Sequence, residues 1–186
     1  MIHRKYFFDS MRYYLFKSFD QSQVDGLNVF LDWYDNIDPV IPERYHIGDR
    51  ELAYILATSY HETAATMQPV TEYGSQAYLQ SKPYWPYIGR GHVQLTWPDN
   101  YQRQDDKLKL GGQLVKNPDL ALDPTISMQV IIGGMVDGDF TGKKLADYFT
   151  DQTTDWYDAR RIVNGTDCAS QIANYAELFC NALTQA

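Results

Sequence analysis

The chain has 186 residues, a length that fits one domain with a single hydrophobic core. Apolar residues make up 44% and charged residues 22%, a balance typical of a globular protein and unlike that of a disordered one. The formal net charge is −8 and no basic stripe alternates with aromatic residues, which argues against nucleic-acid binding and against an anionic membrane surface as partner.

The N-terminal segment, "MIHRKYFFDSMRYYLFKSF", is not typical of a secretory signal. Asp9, Arg12 and Lys17 interrupt its apolar residues, and no small-residue cleavage site follows. Nowhere does the chain approach the ~18 consecutive apolar residues of a membrane-spanning helix. We therefore expect no stable membrane insertion, and a protein that stays in the compartment of its synthesis until something else releases it.

The first half of the sequence predicts helices. After a polar start at Asp20, apolar residues recur at helical spacing: Val24, Leu27, Phe30, Leu31 and Tyr34. A Pro-containing loop, "NIDPVIPERYHIGD", separates this helix from the next. Asp49 is the predicted N-cap of that next helix, and its apolar face carries Leu52, Ile55, Leu56 and Tyr60.

Residues 67–94 show a different pattern, in which Pro and Gly separate short segments rich in β-branched and aromatic residues. This pattern predicts a small, irregular β-region or hairpin rather than a large sheet. Helical signals return at residues 98–108, 124–136 and about 167–183. The predicted fold class is therefore mainly α, of the α+β kind, with residues 1–186 forming a single domain.

The two cysteines, Cys168 and Cys180, both fall in the predicted C-terminal helix. Twelve residues along a helix span about 18 Å, which is too far for a disulfide bond. The spacing therefore predicts two free thiols, and we expect both to be buried.

Several kinds of reaction centre are poorly supported. His61 and Glu62 begin a His-Glu-x-x-His pattern, but Ala65 occupies the place of the second zinc ligand. The sequence also lacks a Gly-x-Ser-x-Gly elbow, and "GRG" at residues 89–91 has neither dinucleotide-binding nor Walker spacing. We expect no metal and no cofactor.

The carboxylates Glu62 and Glu72 form a candidate catalytic pair. Glu62 lies near the C-terminal end of its helix, where the negative dipole end and partial burial would both raise the pKa of a carboxyl group. Glu72 follows ten residues later in a polar segment, where it would stay ionised more easily. Glycosidic bond cleavage uses two carboxylates in such contrasting environments, although two solvated surface charges would have the same spacing.

The segment "YIGRGHVQLTWPDNY", residues 87–101, offers amide and hydroxyl groups among glycines and aromatic residues. Strand alternation would place Gln94 and Thr96 on one face, with Val93 and Leu95 on the other. Such groups suit sugar hydroxyls and N-acetyl groups, and a Thr hydroxyl could hold a water. A hairpin with polar turn caps is the alternative interpretation.

Together, four blocks of sequence resemble the glycoside hydrolase family 19 catalytic domain and, within it, the endolysins of bacteriophages and prophages. The blocks are "LATSYHETAATMQPVTEYG", "YIGRGHVQLTWPDNY", "GDFTGKKLADYF" and "ARRIVNGTD", and weaker similarity lies in "FFDSMRYYLF" and "SQVDGLNVFLDWY". The resemblance covers nearly the whole chain, in family order. It implies a lysozyme-like fold of two helical lobes, with a substrate cleft between them and a small β-hairpin region beside it.

The resemblance also implies roles for single residues. Glu62 matches the general acid, and Glu72 matches the second carboxylate, which orients or activates the attacking water. Gln94, Thr96 and Asn100 match residues that help to bind sugar and water, with Thr96 counted among the catalytic group. The remaining candidate substrate-binding residues are His61, Tyr87, Tyr101, Asn164 and Arg161. Either Arg160 or Arg161 could orient a carboxylate.

The function implied is an inverting hydrolase that cuts the β-1,4 bonds of peptidoglycan as an endolysin. Chitin is the alternative substrate, and a non-catalytic wall-binding protein on the same fold is the competing class. We expect a monomer without a separate wall-binding domain, which accumulates in the host cytoplasm and reaches the periplasmic wall with the help of a holin-like permeabiliser. One departure is "SQAYLQSKPYWP", which replaces a longer Gly- and Tyr-rich loop of many relatives.

Overall fold

The computed structural model describes residues 1–37 and 43–184. It begins with α1 (Arg4–Met11), which continues as a π-helical turn over Arg12–Phe16, and α2 (Gln21–Asp35) follows. The polar start predicted at Asp20 is a capping box: its carboxylate accepts from the Gln23 backbone N–H at 2.8 Å, and the Gln23 side chain accepts from the Asp20 N–H at 3.1 Å. Of the predicted loop, residues 38–42 lie outside the described part.

The long helices α3 (Asp49–Glu62) and α8 (Ala169–Thr184) pack against each other and form the centre of the core. The N-terminal helix joins them, because Phe7 is fully buried and its ring stacks on Phe179 at 6.2 Å. The apolar faces predicted for α2, α3 and α8 thus pack into the core, where most of their residues are buried and Val24, Tyr34, Tyr60 and Tyr175 are half-buried. The predicted cap of α3 is displaced by one residue. Gly48 is the N-cap, and its N–H donates to the Glu51 side chain at 3.2 Å.

The second half builds a further group of helices: α5 (Pro98–Leu108), α6 (Gln113–Lys116) and α7 (Pro124–Asp137). The predicted helices at 98–108 and 124–136 are confirmed to within one residue. Both begin with Pro at the first helical position, which needs no N–H donor there. Asp123 caps α7 by accepting from the backbone N–H of Thr125 and Ile126, and Gly138 ends it at φ +79°.

A two-stranded antiparallel sheet lies between these helical groups, as predicted. Strand β1 (Val70–Thr71) pairs with β2 (Arg90–Gly91), so that Val70 faces Gly91 and Thr71 faces Arg90. The departing segment "SQAYLQSKPYWP" begins with a short helix, α4 (Gln76–Gln80), which the sequence had not predicted. Single-turn helices at Leu145–Asp147 and Asp158–Ile162 lead into α8.

The expectation for the cysteines was half wrong. Cys168 and Cys180 are both free, as predicted, but neither is fully buried: Cys180 is half-buried, and Cys168 is exposed and precedes α8 instead of lying within it. Its positive φ of 56° places it in the turn that starts the helix. In the described ranges, no helix combines the length and apolar character needed to cross a membrane.

Candidate active site

Glu62 is the last residue of α3 and forms an ion pair with Arg160. The Arg160 Nη1 atom lies 2.7 Å from Glu62 Oε1, and the side chains are 3% and 18% exposed, respectively. Arg160 comes from the short helix Asp158–Ile162, and its Nε–H donates to the Asp167 carbonyl at 3.1 Å. Of the two arginines that the sequence left open, Arg160 orients the carboxylate.

The turn after Glu62 is tightly constrained. Ala64, Ala65 and Met67 all have positive φ, between 50° and 66°, although none is glycine. Thr63 holds the turn together, because its hydroxyl donates to the Ser59 carbonyl at 2.7 Å and accepts from the Met67 N–H at 3.1 Å. Left-handed conformations at non-glycine residues are unfavourable and concentrate at functional sites. The chain thus reverses direction directly after the candidate acid.

Glu72 follows β1, and both of its carboxylate oxygens accept a hydrogen bond. The Tyr84 hydroxyl donates to Oε1 and the Gly89 N–H donates to Oε2, each at 3.0 Å. The Glu72 N–H also donates to the Gly89 carbonyl at 2.6 Å, which fixes the backbone. Donors of this kind stabilise the ionised carboxylate. Desolvation, followed by the hydrogen bond and charge of Glu72, raises the pKa of Tyr84.

Gly89 is required here because of close packing. A Cβ atom at this position would lie 2.7 Å from Gln94 Oε1 and 3.4 Å from Glu72 Cβ. Gln94 approaches this side of the sheet because its Nε2 donates to the Val70 carbonyl at 3.1 Å. Gln94, whose amide is predicted to bind sugar, therefore also stabilises β1, the strand that immediately precedes Glu72.

The strand predicted for residues 93–96 is a turn instead. Gln94 has φ +54°, and reciprocal hydrogen bonds between Arg90 and Leu95 close the turn at 3.1 and 2.8 Å. The predicted alternation survives in burial, since Val93 and Leu95 are buried whereas Gln94 and Thr96 are half-buried.

Thr96 and Asn100 lie at the start of α5 and are joined to each other. The Thr96 hydroxyl donates to the Gln94 carbonyl at 2.8 Å, and the Asn100 Nδ2 donates to the Thr96 carbonyl at 2.8 Å. Since its single proton is used in this way, Thr96 can offer only acceptor lone pairs to a water or a sugar hydroxyl.

Tyr101 is a correction to the predicted substrate-binding set. Its side chain is 0% exposed, and its hydroxyl donates to the Ile88 carbonyl at 2.9 Å and accepts from Arg90 Nη1 at 3.2 Å. Arg90 is itself buried and pairs with Asp119 at 2.9 Å. Tyr101 therefore supports the β-region from within the core, because the helical spacing of α5 directs it inward. Tyr87 is half-buried, and its hydroxyl donates to the Val115 carbonyl at 3.3 Å.

The remaining predicted residues lie near the Glu62 end. His61 precedes Glu62 in α3 and is half-buried. Asn164 is exposed, and its Oδ1 accepts from the Gly165 N–H at 2.9 Å. Arg161 is exposed and pairs with Asp158 at 3.0 Å, so it does not share the Glu62 contact of its neighbour. Arg160 thus takes the carboxylate-orienting role that the sequence left open between the two arginines, and substrate binding by Arg161 stays a prediction.

His92 was not predicted to have a role, yet it connects α7 with the turn after Glu62. Its Nδ1 lies 2.7 Å from the Ser127 hydroxyl of α7, and its Nε2 lies 3.3 Å from the Met67 carbonyl in the turn after Glu62. Burial lowers the pKa of His92 to about 4, and the hydrogen bond to Met67 partly opposes this shift. His92 is therefore a neutral structural residue. Its position in "GRGH", among small residues that allow close packing, was the only hint in the sequence.

The two carboxylates thus have contrasting partners, although not the ones that the sequence suggested. Among the hydrogen bonds of the described residues, Glu62 uses only Oε1, which contacts a buried cation, so its Oε2 remains available to carry a proton. Glu72 is held by two neutral donors, one on each oxygen, and each oxygen keeps a lone pair for a further hydrogen bond. This division differs from the one expected for Glu62 at the helix end, because a cation from a distant part of the chain, and not burial alone, defines its surroundings.

Comparisons with known proteins give partial sequence similarity and a shared fold. No family model matches the chain. Over 84 residues the chain is 36% identical to an acidic 26 kDa endochitinase of Solanum lycopersicum. This match covers 45% of the chain and 33% of that protein. Over 100 residues it is 39% identical to endochitinase 1 of Theobroma cacao, which covers 43% of this chain and 30% of that protein. The matches thus span about a third of these curated relatives.

Solved structures extend the likeness over the whole chain. Chitinase C from Streptomyces griseus HUT6037 superposes with a TM-score of 0.66 at 20% identity, covering 98% of this chain and 76% of that one. A bacterial family 19 chitinase superposes with a TM-score of 0.59 at 22% identity, covering 98% and 95%. At these identities the likeness concerns the fold, and it confirms the predicted mainly helical architecture with a small β-element.

Proposed function

We propose that this protein is a glycoside hydrolase that cleaves β-1,4 bonds in glycans built from N-acetylated sugars. The observation that carries the proposal is the pair of half-buried carboxylates with different partners, Glu62 on Arg160 and Glu72 on Tyr84 and Gly89. The partial identity to endochitinases and the shared chitinase fold support the same reaction class.

In the proposed mechanism Glu62 protonates the glycosidic oxygen through Oε2, while Arg160 holds Oε1. A bound glycan would cover the exposed part of Glu62 and remove the water that stabilises its charged form. The leaving oxygen then takes the proton as the bond to the anomeric carbon breaks.

Glu72 is the proposed base that activates the attacking water. One of its free lone pairs accepts a proton of that water, and Thr96, whose own proton is committed to Gln94, accepts the other. The water would then point an oxygen lone pair at the anomeric carbon, and inversion of configuration would follow. After the product leaves, Glu72 releases to solvent the proton that it took from the water, and Glu62 takes one up from solvent, so both carboxyl groups return to their starting states.

Chitin-type oligosaccharides are the first candidate substrate, because the relatives with sequence identity are chitinases. Peptidoglycan is the second candidate, favoured by the resemblance of "TEYG" to the endolysin branch. Both polymers share the β-1,4 linkage and N-acetyl groups. Incubating the protein with chitin oligosaccharides and with purified peptidoglycan, followed by mass analysis of the fragments and their reducing ends, separates the two.

Glu62→Gln tests the reaction class itself. The amide keeps the shape but has no proton to donate, so we expect turnover to fall by roughly 10²–10⁴, the range for general acid–base catalysis. Turnover should be measured on the substrate that the wild type cleaves, with circular dichroism to confirm folding. A folded variant with near wild-type turnover would rule out Glu62 as the acid.

For the peptidoglycan candidate we also propose release by a holin-like permeabiliser, since the wall lies outside the inner membrane. Expression alone should leave cells intact, whereas expression with added permeabiliser should lyse them. The matched control is Glu62→Gln with the same permeabiliser, which should not lyse the cells. Rapid lysis by the unaided protein would contradict this route.

A further inference from the structure

Trp97 occupies a position where the start of a helix favours a different kind of residue. It is the N-cap of α5, and its carbonyl accepts from the backbone N–H of Asn100 at 3.1 Å and of Tyr101 at 3.2 Å. Ser, Thr, Asp and Asn are preferred at an N-cap, because their side-chain oxygen accepts from the first N–H groups of the helix. An indole has only an N–H donor and cannot do this. Helix capping therefore gives no reason for a tryptophan here.

The backbone of Trp97 is also unfavourable for a bulky side chain. Its φ is +77°, in the region that favours glycine. The surrounding structure enforces this conformation, because the Trp97 N–H donates to the Tyr87 carbonyl at 3.0 Å while the Trp97 carbonyl starts α5. Strained non-glycine residues that are fixed in this way concentrate at functional sites.

Burial does not explain the tryptophan either. Trp97 is 49% exposed, so much of its apolar surface remains in contact with water. Tyr73, Tyr78 and Trp85, three more large aromatic residues of the same stretch of chain, are exposed as well. A residue that capping, φ and exposure all disfavour requires an explanation other than the stability of the fold.

Trp97 lies next to the proposed base, and Tyr84 connects the two. The Trp97 and Tyr84 rings meet edge to face, with centroids 5.0 Å apart and planes at 63°. The Tyr84 hydroxyl donates to Glu72 Oε1 at 3.0 Å. Trp97 also directly follows Thr96, the proposed acceptor for the attacking water. One aromatic ring thus separates the indole from the carboxylate.

The chemistry of this place fits a sugar ring. A pyranose has an apolar face of C–H groups and a rim of hydroxyls, and an indole offers a flat apolar face of matching size with one N–H donor. The polar groups beside the indole are acceptors, namely the Glu72 carboxylate and the Thr96 hydroxyl, whose own proton is committed to the Gln94 carbonyl. Acceptors of this kind bind sugar hydroxyl protons.

We propose that Trp97, held by Tyr84, is a stacking surface for a pyranose ring of the glycan, at the sugar unit beside the cleaved bond. The local backbone strain is then the consequence of placing an indole next to Glu72. This inference rests on the proposed function for the identity of the ligand. Its direct consequence is sugar binding, which can be measured without any cleavage.

Calorimetric titration with the N-acetylglucosamine hexasaccharide tests the contact. The parent protein is Glu62→Gln, in which the oligosaccharide should stay uncut. Adding Trp97→Ala should weaken binding roughly 10- to 30-fold, the loss typical of a tryptophan at the centre of a contact. Adding Trp97→Phe, which keeps an aromatic ring, should leave binding within about threefold of the parent.

Trp85→Ala in the same parent is the matched control. Trp85 is 43% exposed in the same stretch of chain, but among the described residues its ring makes no contact with Tyr84. This variant should bind the hexasaccharide as the parent does. An equal loss of binding in Trp85→Ala and Trp97→Ala would contradict the assignment to Trp97.

Trp97→Gly separates sugar binding from folding. Glycine adopts the positive φ without strain, so the Trp97→Gly protein should melt above the Trp97→Ala protein. Both variants lack the ring and should bind the hexasaccharide equally weakly. If binding instead follows the melting temperature, so that Trp97→Gly binds more tightly than Trp97→Ala, the residue supports only the fold and the proposal is wrong.

The outcomes also separate this inference from the proposed function. Glycan cleavage by the wild type, together with binding that Trp97→Ala leaves unchanged, would overturn the stacking role and leave the hydrolase proposal intact. Binding that depends on the Trp97 ring, in a wild-type protein that cleaves neither chitin oligosaccharides nor peptidoglycan, would support the stacking role and overturn the hydrolase. Absence of hexasaccharide binding by the Glu62→Gln parent would overturn the stacking role.

Discussion

Replacing Arg160 with Lys separates the charge of this side chain from its geometry. The native guanidinium reaches two oxygens with two different nitrogens, Glu62 Oε1 at 2.7 Å from Nη1 and the Asp167 carbonyl at 3.1 Å from Nε. Lys keeps the positive charge but has a single nitrogen on an unbranched stem. It can therefore satisfy one of these oxygens well, and the other loses a charge-assisted hydrogen bond.

The expected loss of folding stability follows from the loss of this one hydrogen bond. A hydrogen bond to a charged group contributes about 1.5–3 kcal/mol when the site is buried, and Arg160 is 3% exposed. For a chain of this size each kcal/mol lowers the melting temperature by about 2–4 °C, so Arg160→Lys should melt roughly 3–12 °C below wild type. Because the carboxylate is no longer held from one side, glycan turnover should also fall at least tenfold.

The measurements are calorimetric melting and kcat on a defined oligosaccharide. Arg161→Lys is the matched control, since Arg161 is the adjacent arginine and its partner Asp158 lies at the surface. It should melt as the wild type does, because exposed ion pairs contribute little. An Arg160→Lys protein that melts as Arg161→Lys does and turns over as the wild type does would refute the assignment of Arg160 to Glu62.

Three further predictions concern the β-region and its surroundings. Glu72→Gln and Thr96→Val should each lower turnover more than glycan binding. NMR of the first product of the wild-type protein should show inverted configuration at the anomeric carbon, and a product that keeps the β configuration would exclude Glu72 as the base. Gly89→Ala should lower turnover at least tenfold, because its Cβ would lie 2.7 Å from Gln94 Oε1 and 3.4 Å from Glu72 Cβ. Gly133→Ala is the control for loss of a glycine, because the space around its Cβ is open and its φ is not positive. Equal activity of the two variants would contradict the packing argument. His92 has a pKa of about 4 in the folded protein against 6.5 in the unfolded chain. Between these values only the unfolded chain binds the proton, so the unfolding free energy should be unaffected by this group above pH 6.5 and should drop by roughly 3 kcal/mol as the pH falls to 4. A His92→Gln protein whose stability declines equally steeply over that interval would refute the assignment to His92.

The sequence alone predicted most helices because their signals are local. Asp20 with Gln23, and Pro at the first turn of α5 and α7, mark helix starts through contacts within four residues. Apolar spacing likewise identified the buried faces. For the segment around Gln94 the strand interpretation was wrong, and the alternative, a hairpin with polar turn caps, agrees with the structure. A two-residue burial period is shared by a strand and by this turn, so the period alone could not separate the two.

The candidate carboxylates could also be found in the sequence, whereas their partners could not. Glu62 and Glu72 lie in recognisable motifs, but Arg160 reaches Glu62 across 98 residues of chain, and Tyr84 and Gly89 meet Glu72 only because of the loop that leads back to β2. Periodicity carries no information on such distant pairs. The burial of Tyr101 could not be predicted from the sequence either, since a Tyr in a motif is equally compatible with substrate contact and with burial.

The sequence by itself therefore determined the helical class, the small β-region and the two carboxylates, since each depends on residues that are close together in the chain. The tertiary structure alone decided which arginine holds Glu62, which donors hold Glu72, and which aromatic ring lies against Tyr84. The physical reason is that hydrogen bonds and burial depend on distances in space. Those distances follow from the packing of α3, α8 and the β-region as a whole, and not from any single segment.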